Sequence, residues 1–331
     1  MVAIAKACSL LFGPLPAPRA EPVPPCPRLA APSPTPFDHR RRSKVPSRSC
    51  QILLACLFGC IGLADGLVRA QDAALLRIET EVFADDEKKP VARSLTLFRN
   101  GIAWDFLETL DKGEASTDEP AEFVLHDPAR ERIVMVDPAR HLKTQVDTLR
   151  LERLRASLGA WARKSDDTVM RWAGGPDFAS GMEEQSTTIT LTGPRVRYEV
   201  DFEAAKSAAI AEEYRRFADA ALLVKALVHP GGLPPFPRIA INRRVATAEG
   251  IPVAVRLEVD SRIAKLGGRP SVMRAEHKVL HGWLASDHKR VAAAEERMAL
   301  AAPVDLAAYA GSESAAVATS QATDAQSAPV R

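Results

Sequence analysis

The sequence predicts an α+β fold, a curved antiparallel sheet of about eleven strands that forms an open half-barrel and is covered by about three helices. Two patterns lead to this prediction. Apolar residues recur at every second position from Leu76 to Asp147, interrupted by turn residues, which is typical of antiparallel hairpins. Three longer segments further along the chain carry apolar residues at helical spacing.

The dipeptide Asn100-Gly101 is the strongest local signal, because both residues tolerate the positive φ angles of a two-residue type I′ hairpin. Asp127-Pro128 and Asp137-Pro138 each begin a repeated Asp-Pro-Ala-Arg sequence that suits a type I turn. We therefore assign the two aspartates to turns rather than to an acid/base pair. The first six predicted strands cover residues 76–82, 94–99, 102–108, 122–126, 132–136 and 141–146.

The second half of the domain alternates helices with hairpins. Helices are predicted over residues 147–164, 204–228 and 287–300, and residues 170–181 are predicted to form a loop around Gly174-Gly175-Pro176. One hairpin joins residues 187–191 and 195–200, and another joins residues 238–246 and 252–259 around Glu249-Gly250. Residues 271–280 complete the count of strands. Sequential hairpins favour an antiparallel α+β domain over a doubly wound sheet.

The N-terminus predicts export. Residues 1–44 form a proline-rich leader that we expect to be disordered, and a start at Val45 would make this leader an artefact of the gene model. Residues 45–70 place basic residues, the apolar run Ile52 to Leu63 and the small-residue site Val68-Arg69-Ala70 in the order of a signal peptide, which indicates a periplasmic protein. The alternatives are an uncleaved membrane anchor and lipidation at Cys60. The folded domain is expected to span residues 71–305, followed by a disordered tail over residues 306–331.

Composition limits the classes of function. All five cysteines precede residue 61, so the folded domain has neither disulfides nor thiolate metal sites. The first 70 residues carry nine Lys/Arg and three Asp/Glu, so without them the net charge of +2 becomes about −4. A net acidic domain is a poor partner for nucleic acid, whose binding depends on neutralising phosphates. No stable transmembrane span is predicted once the signal peptide is removed.

The sequence shows no pattern of residues with a catalytic mechanism. There is no nucleophile elbow, phosphate-binding glycine loop or zinc-binding helix motif. The nearest candidate is Glu276-His277 with His281 and His288, which would serve a metal-dependent hydrolase as zinc ligands. His126 and His229 lie beside predicted turns, where we expect exposure to solvent. No enzyme activity and no cofactor are predicted.

The order of strands resembles the lipoprotein-localisation carrier superfamily (LolA/LolB-like), whose members are exported open half-barrels. The resemblance covers Leu76 to about Leu280 and rests on the hairpin Phe98 to Trp104, on the paired strands Phe123 to Asp127 and Ile133 to Pro138, and on the helices that follow. It implies a concave apolar surface for a lipid-like ligand. The candidate lining residues are Ile102, Trp104, Phe106, Phe123, Leu125, Ile133, Met135, Tyr214 and Phe217.

The resulting hypothesis is an exported binding or carrier module for a lipid-like hydrophobic ligand. One alternative is a structural or interaction protein of the cell envelope, whose partner is another envelope protein and whose sheet face is fully packed. A hydrolase that uses the histidine cluster is the third hypothesis.

Overall fold

The computed structural model describes residues 75–111, 114–228, 232–260 and 271–311. The described residues form one open sheet of twelve strands, one more than the sequence predicted. The strands are β1 (Leu76–Ala84), β2 (Ala92–Arg99), β3 (Ile102–Asp111), β4 (Glu114–Asp127), β5 (Arg132–Asp137), β6 (Leu142–Asp147), β7 (Met182–Gln185), β8 (Thr188–Gly193), β9 (Val196–Ala204), β10 (Gly250–Val259), β11 (Ser271–Leu280) and β12 (Ala302–Pro303).

The sheet order is β12-β6-β5-β4-β3-β2-β1-β11-β10-β9-β8-β7, so nearly every strand lies beside a neighbour in sequence. β1 and β11 join the two halves, with Thr80 opposite His277. All pairs are antiparallel except β12 with β6, which run parallel. The curved antiparallel α+β sheet predicted from the sequence is confirmed.

Helices are more numerous than the three predicted. They are α1 (Thr148–Arg163), α2 (Thr168–Ala173), α3 (Ala208–Val228), α4 (Phe236–Thr247) and α5 (Ala285–Leu300), with short 3₁₀ turns at Pro128–Arg130 and Ala179–Gly181. Residues 306–311 are also helical, and Leu306 and Tyr309 are buried in them. The folded domain, expected to end at residue 305, thus continues to Gly311.

The predicted turns form for the expected reasons. Asn100 and Gly101 have φ angles of 56° and 77°, as a type I′ hairpin requires. Asp127 Oδ1 accepts the backbone N–H of Arg130 at 3.2 Å, and Asp137 Oδ1 accepts that of Arg140 at 2.9 Å. Each aspartate also pairs with the arginine of its own turn. The assignment of both aspartates to turns is confirmed.

Two predictions of local structure are wrong. Residues 238–246, predicted as a strand, belong to helix α4, and residues 170–181, predicted as a loop, contain most of α2 and a 3₁₀ turn. Ile239 and Ile241 alternate with polar residues, which is the pattern of a strand. The pattern arises in this helix because α4 is buried on more than one side. Ile239 packs against α3, whereas Ile241 packs against the sheet.

The sheet has two faces, which are covered differently. The inner face contacts α1 to α4 and residues 306–311, and it carries residues such as Ile78, Phe98 and Val124. The outer face carries Leu97, Trp104 and other apolar residues, and α5 covers it across β2 to β5. Across β9 to β11 the outer face instead presents Arg-Glu pairs, such as Arg197 with Glu199 and Arg256 with Glu258, which are largely exposed.

A buried ion pair holds α5 on the outer face. Asp287 Oδ2 accepts Arg77 Nε at 3.0 Å and the backbone N–H of Leu284 at 2.7 Å, and both charged side chains are buried. Trp283 Nε1 donates to the carbonyl of Leu76 at 3.2 Å. The guanidinium of Arg99 lies over Trp104 and Trp283, 5.4 and 5.1 Å from the ring centroids. The N-terminal end of α5 is therefore fixed to the centre of the sheet.

We expect Asp287→Ala to lower the free energy of unfolding by about 3 kcal/mol, because it leaves the charge of Arg77 buried without this partner. Urea unfolding measures the change. Glu295→Ala, at an exposed position of the same helix, is the matched control and should change stability by less than about 0.5 kcal/mol. Equal effects of the two substitutions would show that the ion pair does not hold α5.

Candidate functional site

The nine predicted lining residues do not share one surface. Tyr214 and Phe217 lie on α3 and, with Ile133 and Met135, face the inner layer between the sheet and the helices. The other five are on the outer face under α5, namely Ile102, Trp104, Phe106, Phe123 and Leu125. All nine are buried except Ile102, which is partly buried. The predicted ligand contacts therefore divide between two separate surfaces.

Polar side chains gather at the centre of the inner face, a feature that the sequence did not predict. Adjacent strands contribute His277, Thr80 and Ser94 in one cross-strand row, since Thr80 lies opposite both of the others. Thr96 and Asp105 face each other in the next row. All five residues are buried. We call these five residues, together with Tyr214 of α3 and Arg238 and Asn242 of α4, the inner polar cluster.

Only some of the polar atoms in this cluster have hydrogen-bond partners. Thr96 Oγ1 donates to Asp105 Oδ1 at 2.7 Å, and a 2.8 Å hydrogen bond joins Thr80 Oγ1 to His277 Nδ1. Within the described part of the chain, seven buried atoms of the cluster have no partner: Ser94 Oγ, Asp105 Oδ2, Tyr214 Oη, Arg238 Nη1, Arg238 Nη2, Asn242 Oδ1 and His277 Nε2. Each such atom costs about 1–3 kcal/mol if it stays unsatisfied.

Electrostatic effects connect the helix residues of the cluster with the sheet. The pKa of Tyr214 is raised to about 12, mainly by burial; the charge of Arg238 opposes this shift, and Asp105 and Asp219 contribute to it. Burial also lowers the pKa of His277 well below its usual value, and the charge of Arg238 adds to this effect. The polar groups of α3 and α4 therefore face those of β3 and β11 across the inner layer.

Apolar residues surround the inner polar cluster on the inner face. Phe98 packs edge-on against Phe217, with ring centroids 5.4 Å apart, and lies 6.2 Å from Tyr214. Ile241 of α4 packs with Leu257 and Val255 on the other side. A few polar groups within apolar walls are the usual composition of a site for an amphipathic small molecule.

The histidines named as candidate zinc ligands lie apart. His277 is buried on the inner face, whereas Glu276 lies on the opposite face of the same strand and is exposed. His281 follows the end of β11. The ring of His288 is tilted against that of Trp283, with the ring centroids 5.1 Å apart. Among the described residues, no three His, Cys, Asp or Glu side chains are grouped so that they could hold a metal ion.

No protein-family model matches the sequence, and no curated protein matches it significantly. One solved structure that this chain resembles is a LolA superfamily protein. It comes from Nitrosomonas europaea, with a TM-score of 0.24 and 9% sequence identity, covering 66% of this chain and 90% of that chain. This finding confirms the predicted resemblance at the level of overall pattern.

The inner polar cluster was missed for two reasons. The strand prediction over residues 238–246 hid the helical spacing of Arg238 and Asn242. In β3, the predicted apolar face was that of Trp104 and Phe106, which is the outer face. Ala103 and Leu107, on the other face of the strand, are apolar as well. A strand that is apolar on both faces is typically buried on both faces. That signal would have placed Asp105 inside the protein.

His126 was expected to be solvated but is half-buried, with its ring 6.2 Å from that of Phe217. Its pKa is lowered to about 4, mainly by burial and also by the charge of Arg216, while Asp127 opposes the shift. In the unfolded chain His126 becomes protonated below about pH 6.5, whereas in the folded protein it becomes protonated only near pH 4. The contribution of neutral His126 to the free energy of unfolding is therefore complete above about pH 6.5 and is lost as the pH falls to about 4.

We expect wild-type stability to fall between about pH 7 and about pH 4.5, and His126→Gln to lose about 2 kcal/mol less over that range. Urea unfolding at the two pH values measures both losses. Identical losses in the variant and the wild type would contradict the assignment of this pH dependence to His126.

Proposed function

We propose that this chain is an exported, non-enzymatic carrier that binds a lipid-like hydrophobic ligand in the inner layer, between the sheet and helices α3 and α4. The inner polar cluster carries the proposal. A layer that served only as a core would be more stable with apolar residues at these positions, because buried polar atoms without partners are destabilising. A ligand with a long apolar part and a polar end would pack against the apolar residues of the inner layer and form hydrogen bonds with the inner polar cluster.

Four of the predicted lining residues belong to this proposed site. Ile133, Met135, Tyr214 and Phe217 face the inner layer and provide contact area for an apolar chain. The five residues under α5 would contact a ligand only if α5 left the outer face, and the Arg77–Asp287 ion pair opposes that movement. We therefore propose the inner layer as the binding surface.

The order of basic, apolar and small residues before Gln71 supports export to the periplasm, although those residues lie outside the described part of the chain. In the described part, no helix is long and apolar enough to cross a membrane. An exported carrier with this architecture would hold an apolar ligand away from water between two membranes.

The four tryptophans allow a direct test, because they report on different surfaces. Trp172 packs against the apolar residues of the inner layer between β8 to β11 and α4, Trp104 and Trp283 lie under α5, and Trp161 is exposed. In full-length proteins that keep one tryptophan, with the others changed to Phe, dibromostearate should quench Trp172 strongly and Trp104 weakly. A bound probe should also raise the melting temperature, because it binds only the folded state.

Quenching of Trp104 but not of Trp172 would place the ligand under α5 and contradict the inner site. Absence of quenching and of any thermal shift would reject the carrier and favour an envelope interaction protein. The exposed Trp161 serves as the control for non-specific collision with the probe, and its quenching should not saturate.

A further inference from the structure

Arg238 is a buried charge of the inner layer that has no ion-pair partner among the described residues. The residue is 5% exposed, and neither of its Nη nitrogens has a hydrogen-bond acceptor among the described residues. Burial lowers the pKa of its guanidinium, while Tyr214, Tyr198 and Asp219 act against that effect. A buried guanidinium without an acceptor costs several kcal/mol.

The carboxyl groups nearest this part of the cluster are bonded to other residues. Asp219 Oδ2 accepts Arg215 Nη1 at 2.7 Å, and Asp219 Oδ1 accepts Asn242 Nδ2 at 2.9 Å. Asp105 Oδ1 accepts a hydrogen bond from Thr96 Oγ1, and Asp105 Oδ2 has no hydrogen-bond partner within the described ranges. Neither aspartate bonds to Arg238, so no residue in the described part of the chain supplies a counter-ion in contact with the guanidinium.

Other groups of the cluster can donate hydrogen bonds beside Arg238. The hydroxyl groups of Tyr214 and Ser94 are both buried and have no hydrogen-bond partner among the residues that the structure describes. The charge of Arg238 acts on Tyr214 and opposes the rise in the pKa of its hydroxyl that burial causes. A guanidinium fork next to neutral hydroxyl donors matches the geometry of a carboxylate or a phosphate, each of which offers several acceptor oxygens. Neutral alcohols and cationic head groups offer no such match.

We propose that Arg238 binds the anionic head group, a carboxylate or a phosphate ester, of an amphipathic ligand, with the Tyr214 hydroxyl as a second donor. The inference rests on the proposed carrier function and adds the chemical class of the ligand. The apolar chain would extend from Arg238 along the inner face, where Phe98, Phe217 and Ile241 provide apolar contacts.

Binding of four probes to the full-length protein tests the head group: dodecanoate, dodecyl phosphate, dodecanol and inorganic phosphate. We expect the two anionic amphiphiles to bind about 10 to 100 times more tightly than dodecanol, as charge-assisted hydrogen bonds predict. Inorganic phosphate alone should bind at least about 100 times more weakly than dodecyl phosphate, because it lacks the chain.

Arg238→Met should abolish the preference for anions and leave the affinity for dodecanol within about threefold of wild type. Arg238→Lys keeps the charge but loses the fork, so an intermediate preference is expected. Arg243→Met is the matched control, since Arg243 is exposed on the same helix, and it should retain the full preference.

The stability of the ligand-free protein distinguishes a binding role from a structural one. Arg238→Met removes an uncompensated buried charge, so the ligand-free variant should melt at a higher temperature than wild type. Added dodecanoate should then raise the melting temperature of wild type more than that of the variant. A variant that melts below wild type would show Arg238 to be structural and would overturn the proposal.

The failure of this inference is separable from the failure of the carrier function. If none of the amphiphiles binds, the carrier itself is wrong. If dodecanol binds as tightly as dodecanoate, or if Arg238→Met weakens both equally, the carrier stands and the head-group assignment is overturned. A fifth probe, the cationic dodecyltrimethylammonium, is the charge control. If it binds more tightly than dodecanoate, the cluster prefers cations through Asp105, and the head-group assignment is overturned.

Discussion

The carboxyl group of Asp219 joins helices α3 and α4 through hydrogen bonds and thereby positions the side chains of these helices that face the sheet. It accepts Arg215 from its own helix α3 and Asn242 from α4, at 2.7 and 2.9 Å. Burial raises the pKa of Asp219, while Asn242 and Arg215 act against that effect. Because Asn242 and Arg238 are one helical turn apart, the bond to Asn242 also sets the position of the guanidinium beside Tyr214.

The unequal covering of the sheet explains where polarity is tolerated. Across β2 to β5 both faces are covered, by α3 and its neighbours on one side and by α5 on the other, so a polar residue there is buried whichever way it points. Across β9 to β11 the outer face carries pairs of arginine and glutamate side chains. Ser94, Thr96 and Asp105 of the inner polar cluster thus lie where unsatisfied polar atoms are most costly, and the proposed binding role would account for their presence.

Local chemistry made much of the fold predictable. Asn100-Gly101 and the two Asp-Pro turns determine hairpins through their own backbone preferences, and β11 was predicted with its bounds unchanged. α4 was not predictable in this way, because burial on several sides removes the one-sided apolar stripe by which helices are recognised. The division of the nine lining residues between two faces depends on the path of α5, which Asp287 determines through a contact with Arg77, 210 positions away in sequence.

The central claim is that the inner layer is a ligand-binding surface rather than only a core. Native mass spectrometry of the full-length protein, purified without detergent from cells that export it, tests this claim most directly. The account predicts one equivalent of bound mass, which lipid extraction identifies as an amphiphile with a carboxylate or phosphate head. A spectrum of the bare chain, unchanged after incubation with dodecanoate and dodecyl phosphate, would contradict it.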